Sequence, residues 1–163
     1  FQNLVWEAYT ARDLLEKYIP EDKRNDPDYY IQLLDWDLNT DPLFFEHRFM
    51  PPKPTKPMEE MKAQGYVQMD IVYRSVYFSA KELTILPGKS ALIKDDAPYG
   101  AIVIQGHGKF GNLEIESPAM IDFGQMTQDE LFVTDKAAKE GVLITNLSTT
   151  DNLVMLKHFG PQL

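Results

Sequence analysis

YGAIVIQGHGKFG, residues 99–111, joins an apolar run to a segment punctuated by glycine. Ile102, Val103 and Ile104 are β-branched, and branched side chains suit a pleated surface better than a helix. Gly106, Gly108 and Gly111 mark points where the backbone takes positive φ or approaches a neighbour closely. The stretch therefore predicts a strand over 101–105, a turn at Gly106-His107-Gly108, and a second strand from Asn112.

Outward from this stretch the same texture continues. Short runs of β-forming residues predict further strands at 67–73, 76–86, 91–94, 112–116, 119–123, 130–134, 142–146 and 153–158. Turn chemistry separates them: Pro87-Gly88, Asp95-Asp96-Ala97-Pro98, Ser117-Pro118 and the polar run Ser148–Asn152. No crossover helix stands between successive strands, and Ala137–Glu140 has room for one turn at most. The expectation is a mainly β, antiparallel sandwich or closed barrel over 66–163.

Before the strands the pattern is helical. Leu4, Ala8, Ala11, Leu15 and Tyr18 recur at helical spacing until Pro20. Asp26-Pro27 is a cap and first-turn pair that places Tyr30, Leu33 and Leu34 on the buried stripe of a second helix. Thr40-Asp41-Pro42 opens a third, Leu43–Phe49, closed by Met50-Pro51-Pro52. Residues 1–50 thus read as a helical extension, with Trp6, Tyr29, Tyr30, Trp36, Phe44, Phe45 and Phe49 expected to pack on the domain that follows. PPKPTKP, residues 51–57, reads as a stiff polyproline-like spacer, and with the short helix around Glu59–Gln64 it makes a linker over 51–65.

Composition narrows the function. The chain has 163 residues, a net charge of −9 and no cysteine. Five basic and eleven acidic residues fall in 1–50, so two thirds of the excess negative charge lies in the extension. Nucleic acid and anionic membranes are excluded as expected partners, because both call for clustered Lys and Arg. Without thiols there is neither a disulfide framework nor a cysteine nucleophile, which suits a reducing cytoplasm. Phe1 is neither an initiator Met nor the start of a signal-like segment, the pattern expected of a piece of a longer protein or a processed product.

Gly88 to Gly108 and Val142 to His158 resemble the two motifs of the cupin superfamily, small jelly-roll barrels that commonly hold a metal. The resemblance covers roughly residues 77 to 160. The first family motif spaces His-x-His and Glu between two glycines; here the glycines are Gly88 and Gly108, and the ligand positions carry Lys94, Asp96 and Ala101. In the second motif a His precedes an Asn by four, which falls on Val142 and Asn146. The scaffold residues match and the ligands are missing, so the reading expects no metal and no other cofactor. Gln105-Gly106-His107 is similar to the Gln-x-His ligand pair of the mannose-6-phosphate isomerases, whose carboxy-terminal barrel carries no metal. That likeness implies a carbohydrate-processing context.

Three functions remain open. The first is a metal-free barrel that binds a small molecule, a sugar or sugar phosphate, or serves assembly, with Tyr99, Gln105, His107, Arg74 and Gln125 as candidate ligand contacts near the barrel mouth. The second is a sugar-phosphate isomerase using Glu130, His158 or Lys94 as catalytic groups, with Asp96, Asp122, His107 and Lys157 in reserve. The third is a partner-binding domain that works through its acidic helices. Open strand edges also make a homodimer an expected assembly.

Overall fold

The computed structural model describes residues 18–120 and 123–161. The chain divides into two compact units, residues 1–49 and 50–163. In the first, a 3-10 turn at Glu21–Lys23 is followed by α1 (Pro27–Gln32), α2 (Trp36–Asn39) and α3 (Phe44–Arg48). The Asp26 side chain accepts the N–H groups of Asp28 and Tyr29 at 3.1 and 3.2 Å, the expected cap. Asp41 accepts the Leu43 N–H at 2.9 Å and bonds His47 Nδ1 at 2.6 Å. These helices are too short to bury a stripe: α1–α3 contain no buried residue, Leu33 is exposed, and Tyr30 and Leu34 are half-buried. Trp36, Phe44, Phe45 and Phe49 are likewise exposed, and the rings of Phe45 and Phe49 stack at 4.6 Å. The helix expected over Leu4–Tyr18, with Trp6, lies outside the described residues apart from Tyr18, which is exposed.

The second unit is an antiparallel jelly-roll barrel. Its elements are β1 (Lys53–Pro54), α4 (Met58–Ala63), β2 (Tyr66–Val72), β3 (Ser79–Ile85), β4 (Ser90–Ile93), β5 (Tyr99–Phe110), β6 (Leu113–Ser117), β7 (Glu130–Val133), α5 (Asp135–Glu140), β8 (Val142–Asn146) and β9 (Leu153–Phe159). One sheet runs β1-β2-β3-β9-β5-β7 and the other β4-β8-β5-β6. The strand β5 belongs to both. Its first half pairs with β9 and β7, and its second half with β6 and β8.

This corrects the reading of residues 99–111. Gly106-His107-Gly108 is no hairpin turn but the middle of a 12-residue strand. The pairing slips between Val103 and Gln105, and Gly106 sits at φ 88° with its Cα face against the Asn152 carbonyl. A bulge followed by a positive-φ glycine turns the strand from one sheet into the other. Elsewhere, Ala119 and Met120 lie outside any strand, Ile121 and Asp122 are outside the described residues, and Phe123 is in a turn. Val76, Tyr77 and Phe78 form an exposed loop ahead of β3. The short helix expected around Glu59–Gln64 is α4, with Met61 fully buried, while Lys53 and Pro54 of the expected spacer pair with β2 as β1. The single turn expected at 137–140 is a six-residue helix capped by the Thr134 hydroxyl.

The core follows strand alternation. Leu83 and Ile85 of β3, Leu153 and Met155 of β9, Ala101 and Val103 of β5, Ile115 of β6 and Ile144 of β8 point inward and are buried. On β9 the same alternation carries Lys157 and Phe159 into the interior. It turns His158 out.

Candidate functional site

The interior register sets the site. Lys157 of β9 is opposite Lys81 of β3 on one side and Ala101 of β5 on the other. The small Ala101 leaves the long side chain space within the barrel. Lys157 is 0% exposed, and its Nζ donates to Asp95 Oδ2 and, at 2.9 Å, to Gln68 Oε1. Lys81 Nζ donates to the other Asp95 oxygen at 3.0 Å. One buried carboxylate is therefore shared by two ammonium groups. Aromatic faces complete the surroundings: Lys157 Nζ is 4.7 Å from the Tyr99 ring centroid and Lys81 Nζ is 4.9 Å from that of Phe159.

Asp95 sits in the loop between β4 and β5, and its backbone N–H is tied to the Ala138 carbonyl of α5 at 3.0 Å. That anchor fixes the carboxylate where two strands can reach it. Burial pulls the Lys157 amine down to about 8, against the opposing pull of Asp95. Burial and the nearby Asp95 charge push the Tyr99 phenol above its usual range, so it remains a protonated donor. Among the described residues that buried hydroxyl has no hydrogen-bond partner.

Next to this cluster opens a cleft of about 440 Å³, lined by Ser79, Lys81, Asp96, Pro98, Phe159 and Pro161 among others. Lys81 connects the two regions, with 27% of its side chain exposed and its ammonium bonded inward to Asp95. The cleft thus offers an ammonium, a hydroxyl and a carboxylate beside an aromatic and proline surface.

The residues singled out from sequence are mostly elsewhere. Tyr99 is in the cluster and Asp96 lines the cleft. Lys94 is exposed, its stem running near Gly141. Glu130 and His158 are exposed on strands separated by β5, and the His158 ring lies over Gly100. His107 is exposed opposite Glu116, and Gln105 is exposed with its amide 3.5 Å from the Asn152 carbonyl. Arg74 and Gln125 are in exposed loops, and Asp122 is outside the described residues. Glu130, His158 and Lys94 are all exposed, and none of them lines the cleft. Asp95, Gln68 and Lys81 were missed, although strand alternation through Leu153, Met155 and Lys157 already puts a lysine on the core side.

The metal that the cupin resemblance implies is not matched by these side chains. A divalent ion takes three or four converging N, O or S donors, and among the described residues no group of three His, Cys, Asp or Glu converges. Both oxygens of Asp95 are occupied by ammonium groups, which repel a cation. Asn146, at the scaffold position of the second motif, is buried and structural: its amide donates to the Ile85 and Asp151 carbonyls at 3.0 and 2.8 Å.

No helix among the described residues is long and apolar enough to cross a membrane. No family model matches the sequence and no curated relative does. Among solved structures, the chain is similar to the polyketide cyclase RemF of Streptomyces resistomycificus, at TM-score 0.43 and 9% identity over 61% of this chain and 67% of that one. It is similar to a cupin 2 domain-containing protein of Halorhodospira halophila, at TM-score 0.44 and 16% identity over 61% and 70%. A chain from the Rhodobacter sphaeroides SigE complex with the anti-sigma ChrR matches at TM-score 0.48 and 9% identity over 93% and 75%. What the cleft binds is a matter for its own residues.

Proposed function

We propose that the barrel is a metal-independent binding module for a small hydroxylated molecule of the sugar class, serving a carbohydrate-processing protein. The cleft beside Lys81 carries this reading. Its volume of about 440 Å³ is that of a small-molecule site. Sugar hydroxyls both donate and accept, which matches Asp96 as acceptor, Lys81 as donor and the Ser79 hydroxyl as either. The apolar face of a sugar ring can rest on Phe159, Pro98 and Pro161. The cleft lining does not include Glu130, His158 or Lys94, the groups expected of an isomerase, and this favours the binding reading.

Titration of the isotope-labelled chain with a panel of neutral and acidic monosaccharides, followed by amide NMR, tests the proposal. Saturable shifts confined to 79–81, 96–98 and 159–160 are expected, and Asp96→Ala should weaken them. Absence of any saturable shift, or shifts centred on Gln105 and His107, would sink it.

A further inference from the structure

We propose that the molecule held in the cleft carries an oxyanion, a carboxylate or a phosphate-like group, that docks on the Lys81 ammonium and balances a positive charge buried behind it. This rests on the binding reading above and names the ligand's charge. Three observations support it. First, among the described residues Lys81 and Lys157 both pair with Asp95, so two ammonium groups meet one carboxylate. Charges held away from water act on one another several times more strongly than exposed ones. Second, hydrogen-bonding capacity is lopsided in the same sense. Each ammonium has three N–H groups and Tyr99 has an O–H without an acceptor, while the acceptors are Asp95 and the Gln68 carbonyl oxygen. A ligand in the cleft that supplies an acceptor oxygen to Lys81, the member of the cluster that lines it, offsets that imbalance.

Third, only Lys81 is placed to deliver that charge. Lys157 is fully enclosed, whereas Lys81 lines the cleft. Asp96 also lines the cleft, but it is exposed, and water and salt screen its charge. It is suited to a hydroxyl on the same ligand.

The arrangement makes affinity depend on pH. The groups facing Lys157 are Asp95 from the β4–β5 loop, Lys81 from β3, the Tyr99 phenol from β5 and the neutral amide of Gln68 from β2; Asp70 stands opposite Lys81 in the register of β2. As pH rises through about 8, Lys157 loses its proton. Asp95 is then balanced by Lys81 alone, and the surplus that attracts an oxyanion is gone.

The test is amide NMR titration with sodium sulfate, sodium acetate and a neutral polyol at constant ionic strength. At least one anion should give saturable shifts at 79–81 and 159–160; sulfate or acetate preference separates a phosphate-like from a carboxylate ligand. Lys81→Gln, with its fold checked by the dispersion of its amide spectrum, should weaken that anion about tenfold, and raising pH from about 7 to about 9.5 in the unmutated chain should weaken it several-fold. If the polyol binds and neither anion does, the oxyanion inference fails while the binding reading stands. Silence from all three probes overturns both. Anion binding unchanged in Lys81→Gln overturns the inference as well.

Discussion

Replacing Asp95 by Asn keeps the shape of the side chain and removes the charge on which two lysines converge. Lys157, 0% exposed, is left as an ammonium beside another ammonium with no counter-charge. Breaking a buried ion pair by removing one partner costs about 3–5 kcal/mol. Lys157→Met differs, because Asp95 keeps Lys81 as its counter-charge and what is lost is the ammonium's bonds to Asp95 and Gln68, costing about 1–3 kcal/mol. The double variant should therefore be more stable than Asp95→Asn alone, a non-additivity of about 2 kcal/mol. The sign with pH also follows. The Lys157 amine titrates at about 8 when folded against 10.5 ordinarily, so between those values the unfolded chain binds the extra proton. Stability from this group rises with pH across that window, by an amount on the order of 3 kcal/mol at 1.36 kcal/mol per pH unit. The penalty of Asp95→Asn should accordingly shrink between about pH 7 and about pH 9.5, as Lys157 becomes neutral in both proteins. Urea unfolding followed by circular dichroism reads all of this, with Lys157→Met as the control that cancels every other titrating group. A cost below about 1 kcal/mol for Asp95→Asn, or strict additivity in the double variant, would refute a coupled buried cluster.

Two glycines of β5 should respond oppositely to alanine. At Gly106 a Cβ meets the Asn152 carbonyl at 2.6 Å with φ at 88°, so Gly106→Ala should cost about 2–4 kcal/mol in chemical denaturation. At Gly100 the obstacle is the His158 ring edge at 2.1 Å, an exposed side chain free to swing aside, so Gly100→Ala should stay within about 1 kcal/mol of wild type. Dialysis against a chelator should leave the thermal midpoint unchanged to about 1 °C; stoichiometric Zn, Mn, Fe or Ni in the purified chain, lost together with stability, would contradict the donor chemistry around Asp95.

Much of the barrel is legible from β-branched runs and turn residues, because burial on one sheet face imposes a period of two. Glycine is the harder letter. Gly106 satisfies a tight turn and a bulge equally well in local terms, and only the pairing of Val103 and Gln105 with β9 decides for the bulge. At the site, motif spacing points to Lys94 and Asp96, but Ala91, Ile93 and Asp95 are the inward positions, so the buried acid lies between the two expected ones. The partners of Asp95 come from β3 and β9, and Gln68 comes from β2. No local pattern announces contacts separated by 62 and 89 residues. In the helical unit the caps at Asp26 and Asp41 are readable because they are local; the expected buried stripe fails because helices of four to six residues cannot form one.

The insertion of β9 between β3 and β5 has a consequence for biosynthesis. Ribosomes deliver the chain in order, so β3 and β5 are made well before the strand that lies between them. From Ile85 to its partner Leu153, translation takes on the order of 3–14 s at about 5–20 residues per second. Through that interval β3 has no partner on its β9 side and the core faces of Leu83 and Ile85 lack their cover, a template for stray strand addition. A nascent barrel of this topology is a customer for chaperones that shield open sheet edges, and its yield in cells should depend on the pace of synthesis between those two strands.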